Sequence, residues 1–116
     1  MASPRNNKAR GRTTQQEVRD AILKAFPDLE PDDVRVAIMG ESGEDIKLSP
    51  HARKTLQGFQ FEVKRVKTLK TVYNWYDQAK AHGSHKPAVV FRQDRDKHLV
   101  ILSLEHYLEL LNDKNR

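Results

Sequence analysis

The chain has 116 residues, 37% of them apolar and 32% charged, with a net charge of +5 and no cysteine. A polar chain of this length supports one small core, so we expect a single domain. The missing cysteines exclude disulfides, thiolate metal sites and a cysteine nucleophile within the chain, and they suit a reducing cytoplasm. No apolar run approaches the roughly 20 residues of a membrane span, so we expect neither a secretory signal nor a membrane partner.

The first twelve residues concentrate the positive charge. They contain no acid, and their four cations are Arg5, Lys8, Arg10 and Arg12. Pro4 and Gly11 break regular structure, so we expect residues 1–12 to form a disordered basic arm before a folded domain over 13–112. Such an arm favours contact with a polyanion such as DNA, the alternative being a solubilising tail or a cloning remnant.

A helix is the first predicted element of the folded domain. Apolar residues recur at helical spacing from Val18 to Phe26, and Pro27 ends the pattern. Thr14 and Glu17 have the spacing of a capping box, so the helix is predicted to begin at Thr13 or Thr14.

Strands are predicted next, over residues 34–39, 45–49 and 58–66, with at most one helical turn after Pro50. In the second strand, Asp45 and Lys47 share one face. The third strand alternates most clearly, because its aromatic and aliphatic residues lie on one face and its polar residues, including Glu62 and Lys64, lie on the other.

The second half of the chain also contains predicted helices and strands, without an internal repeat. A helix is predicted over 71–82, strands over 87–92 and 98–103, and a final helix over 104–112 that Ser103 caps. The order α-β-β-β-α-β-β-α predicts an α/β (mixed α+β) fold with a central mixed five-stranded sheet flanked by helices.

The polar face of the 58–66 strand is the candidate site. If this strand pairs with the 45–49 strand, then Asp45, Glu62 and Lys64 converge. Two carboxylates at adjacent strand ends suit a hard divalent cation, and a nearby lysine can orient an attacking water. Lys47 projects from the same face as Asp45, where it either contacts a phosphate or is simply solvated.

Other chemistry is disfavoured. His82 and His85 have no cysteine partners and no matching second pair, which argues against a zinc site. Trp75 and Tyr76 fall on the apolar stripe of the predicted helix, so core packing explains them better than base stacking.

Two stretches resemble a known family. MGESGEDIKLSPHAR (39–53), followed by FEVK (61–64), resembles the PD-(D/E)XK nucleases, and most closely the archaeal-type and phage Holliday junction resolvases. The resemblance covers residues 13–111. Glu44 stands where the family name has proline, and Val63 fills the tolerant middle position of the E-x-K motif.

This resemblance implies a restriction-endonuclease-like fold and a homodimer with Mg²⁺-dependent phosphodiester hydrolysis, in which Mn²⁺ substitutes for Mg²⁺. It implies that Asp45 and Glu62 hold the metal and that Lys64 serves the attacking water. Glu17 matches an additional acidic ligand, although capping the first helix explains it equally well. Gln78 matches a polar position beside the active site and is otherwise an ordinary helix residue.

Three functions follow as hypotheses. The first is a structure-selective DNA endonuclease that resolves four-way junctions as a homodimer. We expect such an enzyme to act in the cytoplasm, encoded by a phage and acting in the host cell. Its dimer interface would use Leu110, or the patch of Val66, Leu69 and Val72. The second is a nicking or restriction-like nuclease. The third is a nucleic-acid-binding module without chemistry, which the carboxylates oppose because they repel phosphate unless a metal is bound.

Overall fold

The computed structural model describes residues 4–114, and over this range the chain is a small α+β protein with four α-helices and two separate two-stranded antiparallel sheets. The elements are α1 (Pro4–Ala25), a short 3₁₀ helix (Pro31–Asp33), β1 (Val34–Val36), β2 (Ile46–Leu48), α2 (Pro50–Thr55), α3 (Lys70–Lys80), β3 (Val89–Phe91), β4 (Leu99–Ile101) and α4 (Leu104–Lys114). The chain divides into two compact units, one with the residues up to Arg65 and from Leu111 on, the other Val66–Leu110.

The predicted central five-stranded mixed sheet, and with it the restriction-endonuclease-like architecture, is wrong. β1 pairs only with β2, in a register that sets Arg35 opposite Lys47, and β3 pairs only with β4, with Val90 opposite Val100. Both pairings are antiparallel, so no parallel pair occurs within residues 4–114.

The missing fifth strand is the predicted strand over 58–66. Residues 59–66 join no ladder, and side chains bind some of the backbone groups that a neighbouring strand would otherwise pair. The Arg53 guanidinium donates to the Phe59 carbonyl at 3.0 Å, and the Val63 N–H donates to the Asp45 carboxylate at 2.7 Å. A single backbone hydrogen bond, from the Asp45 N–H to the Phe61 carbonyl at 3.0 Å, links this segment to the β1–β2 hairpin.

Helix α1 is longer than predicted. It begins at Pro4 rather than at Thr13 or Thr14, so the predicted basic arm is helical from Pro4 on. The Thr14 hydroxyl does not cap a helix start, because it donates to the Arg10 carbonyl one turn earlier, at 2.9 Å. Gly11 is tolerated inside the helix, where nothing lies within 4 Å of its missing Cβ.

The core of the first unit lies between α1, the β1–β2 hairpin and α2. Ile22 and Phe26 are buried, as their helical spacing predicts, and the core comprises Ile22, Phe26, Leu29, Val34, Ile46, Ala52, Leu56 and Leu111. Arg19 fastens α1 to the loop and strand that follow, because its guanidinium donates to the Val34 carbonyl at 2.8 Å and to the Pro31 carbonyl at 3.1 Å.

The second unit is more open. The predicted apolar stripe of α3 is only partly covered, and Trp75 packs against Phe91 of β3 with ring centroids 5.5 Å apart. Ser103 caps α4 as predicted, since its hydroxyl accepts the His106 N–H at 3.1 Å. Across the described part of the chain, no helix is both long and apolar enough to span a membrane.

Candidate functional site

Asp45 joins the β1–β2 hairpin to the irregular segment 59–66. Its carbonyl accepts the Ala37 N–H at 2.9 Å, which prolongs the hairpin by one step, and its own N–H donates to Phe61 at 3.0 Å. Its carboxylate accepts the Val63 N–H at 2.7 Å through Oδ2. Asp45 therefore contacts the residues on both sides of Glu62, although the segment forms no strand.

Glu62 and Lys64 lie on the outer face of this segment. Phe61 and Val63 are half-buried, whereas Glu62 and Lys64 are exposed, so the predicted alternation is present over residues 61–64 without the sheet. It does not include Phe59, which is 47% exposed. The Lys64 ammonium lies 3.1 Å from the Glu62 carboxylate, and the two side chains are 79% and 62% exposed. An ion pair in this much water contributes little stability, so both groups are free to contact a ligand.

Glu44 also binds the 59–66 segment. Both terminal nitrogens of Arg53 donate to its carboxylate, and the Phe61 N–H also bonds to it. These hydrogen bonds, with that from Arg53 the largest, hold the pKa of the Glu44 carboxyl below its usual range, and the same pair raises the pKa of Arg53. This role of Glu44 is not predictable from the sequence, because no local pattern pairs an acid with a base nine residues away.

The loop between β1 and β2 is held by a second ion pair. The Arg35 guanidinium donates to both carboxylate oxygens of Glu41, at 3.0 and 2.8 Å, and the Ile38 N–H donates to Glu41 at 2.8 Å. The hydrogen bonds from Arg35, followed by that from Ile38, lower the pKa of Glu41 to about 2. The sequence leaves Lys47 either in contact with a phosphate or simply solvated. In the structure its ammonium donates to the Ser42 carbonyl across the same loop, so it is not simply solvated.

Gly43 is required by this arrangement. Its φ of +92° lies in the left-handed region, and a Cβ there would meet the Lys47 ammonium at 3.0 Å. A glycine at this position, two residues before Asp45 begins its contacts with the 59–66 segment, therefore leaves room for the Lys47 ammonium to bind the Ser42 carbonyl.

Two clefts flank the site. One of about 290 Å³ lies between α1 and the hairpin loop, lined by Gly11, Arg12, Gln15, Ala37, Ile38, Met39, Gly40, Glu41 and Asp45. The other, of about 350 Å³, is lined by Gly43, Glu44, Gln60, Phe61 and Glu62. Asp45 and Glu62 thus line neighbouring clefts on the first unit.

The other residues predicted for the site make no described contact with Asp45 or Glu62. Glu17 is exposed on α1, and within the described chain no group of three or more His, Asp or Glu side chains could hold a metal ion, so Glu17, Asp45 and Glu62 form no such cluster. Gln78 is exposed on α3 in the second unit. Arg12 is exposed and Arg10 half-buried on α1.

Two of the predicted DNA contacts, Arg5 and Lys8, have side chains that lie outside the described residues. Their backbone belongs to α1, which begins at Pro4.

The donor set of the site suits a hard cation. Asp45 and Glu62 offer carboxylate oxygens, and the chain has no thiolate to compete for a softer metal. The hydrogen bond from the Val63 N–H engages Oδ2 of Asp45. Mg²⁺ is commonly held by one or two carboxylates, with water and substrate phosphate completing its shell.

No protein-family model, no curated protein and no solved structure matches the chain. The resemblance of residues 39–53 and 61–64 to the PD-(D/E)XK nucleases therefore stays an expectation from the sequence.

Proposed function

We propose that the chain is a Mg²⁺-dependent endonuclease that hydrolyses phosphodiester bonds in branched DNA, with the four-way junction as its substrate. The observation that supports this proposal most is the position of Asp45, which hydrogen-bonds to the residues before and after Glu62. A carboxylate at Asp45 and the acid and lysine of the E-x-K motif are the groups that metal-assisted phosphodiester hydrolysis needs.

In this proposal Asp45 and Glu62 hold the cation, and Mn²⁺ substitutes for Mg²⁺. The bound metal would supply a more acidic water and neutralise charge that builds up on the phosphate. Lys64, whose exposed ammonium lies 3.1 Å from the Glu62 carboxylate, orients the attacking water. Glu17 stays a predicted further ligand, and Lys47 and Gln78 stay predicted DNA contacts.

Paired cuts require two such sites, so we propose a homodimer. One chain supplies one set of Asp45, Glu62 and Lys64, and a two-fold axis would present the second set to the opposed strand. We further propose that the protein acts in the cytoplasm, which the absence of cysteine suits, and that a phage encodes it for use in its host cell.

The direct test is cleavage of a labelled four-way junction and of a linear duplex with the same arm sequence, each with Mg²⁺ or with chelator. We expect the wild type to cut the junction only with Mg²⁺. Asp45→Asn should fold, because it retains an oxygen that accepts the Val63 N–H, and Glu62→Gln should fold because the side chain is exposed. Both variants should lose cleavage, because each lacks one proposed metal ligand. Asp94→Asn, an exposed acid in the second unit, is the matched control and should cut normally.

The outcomes separate the alternatives. Equal cleavage of junction and duplex favours a nicking or restriction-like nuclease, and full cleavage by Asp45→Asn and Glu62→Gln overturns the assignment of these two ligands. Junction binding without cleavage favours a nucleic-acid-binding module. The binding module is supported by the exposed Arg12, which lines the 290 Å³ cleft, since a cation there attracts phosphate without any metal.

A further inference from the structure

A tight turn projects from the loop between β1 and β2. The Glu41 N–H donates to the Ile38 carbonyl at 2.9 Å, and Gly40 takes a φ of +85°, which L residues with side chains rarely adopt. Met39 and Gly40 therefore form the tip of the turn.

This turn is fixed before any ligand arrives. The Glu41 carboxylate accepts the Ile38 N–H at 2.8 Å while both its oxygens bind Arg35. The backbone bond across the turn and the ion pair to β1 act together, so the side chains at the tip are presented in one arrangement.

The side chains at the tip are apolar. Ile38 is 70% exposed and Met39 71%, more than any other large apolar side chain in the described part of the chain. Neither contributes to the core, so a rigid turn that holds both in water gains nothing for folding. Such an arrangement indicates a surface that is covered by a partner.

The chemistry around the tip identifies the partner. Ile38 and Met39 line the 290 Å³ cleft together with Arg12 and Gln15 of α1 and with Asp45. Glu41 lines it as well, and its charge is offset by the ion pair with Arg35. A protein partner would need a contiguous apolar patch of several hundred Å², whereas here two apolar residues are bounded by polar ones. An apolar face beside an exposed arginine fits a nucleotide, whose base is apolar on its faces and whose phosphate is an anion.

We infer that Ile38 and Met39 pack against the bases at the branch point of DNA while Arg12 contacts the adjoining phosphate. This inference rests on the proposed function, because Asp45 in the same cleft is the proposed metal ligand. Apolar side chains that insert at a base step unstack it, and the bases at a branch point are already the easiest in a junction to unstack. The turn would then favour branched over linear DNA without a sequence-reading element.

The test uses the full-length protein and a four-way junction with 2-aminopurine at the branch point. Ca²⁺ replaces Mg²⁺, so that a divalent cation still offsets the charge of Asp45 and Glu62, and the DNA is checked for cleavage after each measurement. We expect its fluorescence to rise on binding wild-type protein, because the base loses its stacking neighbours. The Ile38→Ser/Met39→Ser variant should lose most of this rise and bind the junction about tenfold more weakly, with unchanged affinity for linear duplex. Val90→Ser/Val100→Ser, another exposed apolar pair (66% and 59%), is the matched control.

An equal fluorescence rise in the tip variant and the wild type would overturn the inference, as would an equal loss in the control variant. A change of oligomeric state with unchanged DNA binding would also overturn it, since the tip would then be a protein interface. Cleavage by the wild type with Mg²⁺ is measured separately. If the wild type cuts the junction but the tip variant gives the same fluorescence rise as the wild type, only this inference is wrong. If the tip variant loses the fluorescence rise but the wild type does not cut, the endonuclease proposal is wrong and the base contact stands.

Discussion

The guanidinium of Arg53 donates to both carboxylate oxygens of Glu44. The same guanidinium donates to the Phe59 carbonyl, so α2, the loop before Asp45 and the start of the 59–66 segment meet at one side chain. The Glu44 side chain is only 15% exposed, which makes this pair the most consequential ionic contact for the position of Glu62.

Removal of this contact should destabilise the first unit. We expect Arg53→Ala to lower the free energy of unfolding by about 1–3 kcal/mol, because a largely covered carboxylate loses charged hydrogen bonds. Arg92→Ala, at an exposed position in the second unit, should change it by less than about 0.5 kcal/mol. Urea denaturation measures both, and equal effects of the two substitutions would contradict the role of Arg53.

Acid should weaken the hairpin loop through Glu41. Its pKa falls in the folded protein from 4.5 to about 2, so the ionised form is favoured by folding. The contribution to stability is therefore present above pH 4.5 and is lost as the pH falls toward 2. We expect the gap in unfolding free energy between wild type and Glu41→Gln to narrow over this window. A gap that stays constant from neutral pH to pH 2 would contradict the Arg35–Glu41 pairing.

Mg²⁺ should stabilise the wild type. A ligand that binds only the folded chain raises the thermal midpoint by mass action, and Asp45 and Glu62 are its proposed donors. We expect calorimetry to show an Mg²⁺-dependent rise for wild type and for Asp94→Asn, and no rise for Asp45→Asn/Glu62→Gln. A rise of the same size in all three proteins would assign the cation to another part of the chain.

The cations near the N-terminus should set the salt dependence of DNA binding. Because residues from Pro4 on belong to α1, glutamine substitution is a cleaner test than deletion. Replacing Arg5, Lys8, Arg10 and Arg12 should make the slope of log K against log[salt] shallower by about 3.6 on duplex DNA, or about 0.9 per phosphate contact. The double variant at 10 and 12 should account for about half of the change. An unaltered slope would show that these residues touch no phosphate.

Dimer formation should depend on one of two exposed apolar patches in the second unit. Leu110 is 59% exposed, and Val66 and Leu69 are 57% and 46% exposed. We expect either Leu110→Glu or Val66→Glu/Leu69→Glu to give a monomer in sedimentation equilibrium, with the other variant serving as its control. A wild-type chain that is monomeric with and without junction DNA would exclude paired cuts by a dimer.

Local signals allowed parts of this fold to be predicted from the sequence. Ser103 precedes an apolar helical pattern, and it caps α4 as expected. The β-branched run at Val34 and the alternation around Ile46 mark strands that do pair, because each has a single buried face and the two strands follow one another in the chain.

The failures come from contacts between distant residues. The alternation around Phe61 is typical of a strand, but whether it pairs depends on what Asp45 and Arg53 do with their side chains. Likewise, Thr14 and Glu17 have the spacing of a capping box, and only the continuation of the helix back to Pro4 shows that this box is not used. For the site, the sequence predicted that Asp45 approaches the E-x-K motif through paired strands. Asp45 does hydrogen-bond to residues 61 and 63, but through its side chain and a single backbone bond. The three-acid group with Glu17 is not formed among the described residues.

The way in which the 59–66 segment is attached has a consequence for motion. A strand inside a ladder leaves its sheet only when several backbone bonds break together, whereas this segment is held mainly by the Asp45 carboxylate and by Arg53. Its amides should therefore exchange with deuterium faster than those of β1 and β2, through local openings that leave Ile22, Val34 and Ile46 packed. Glu62 and Lys64 can thus shift together when a ligand approaches, at little expense to the core that carries them.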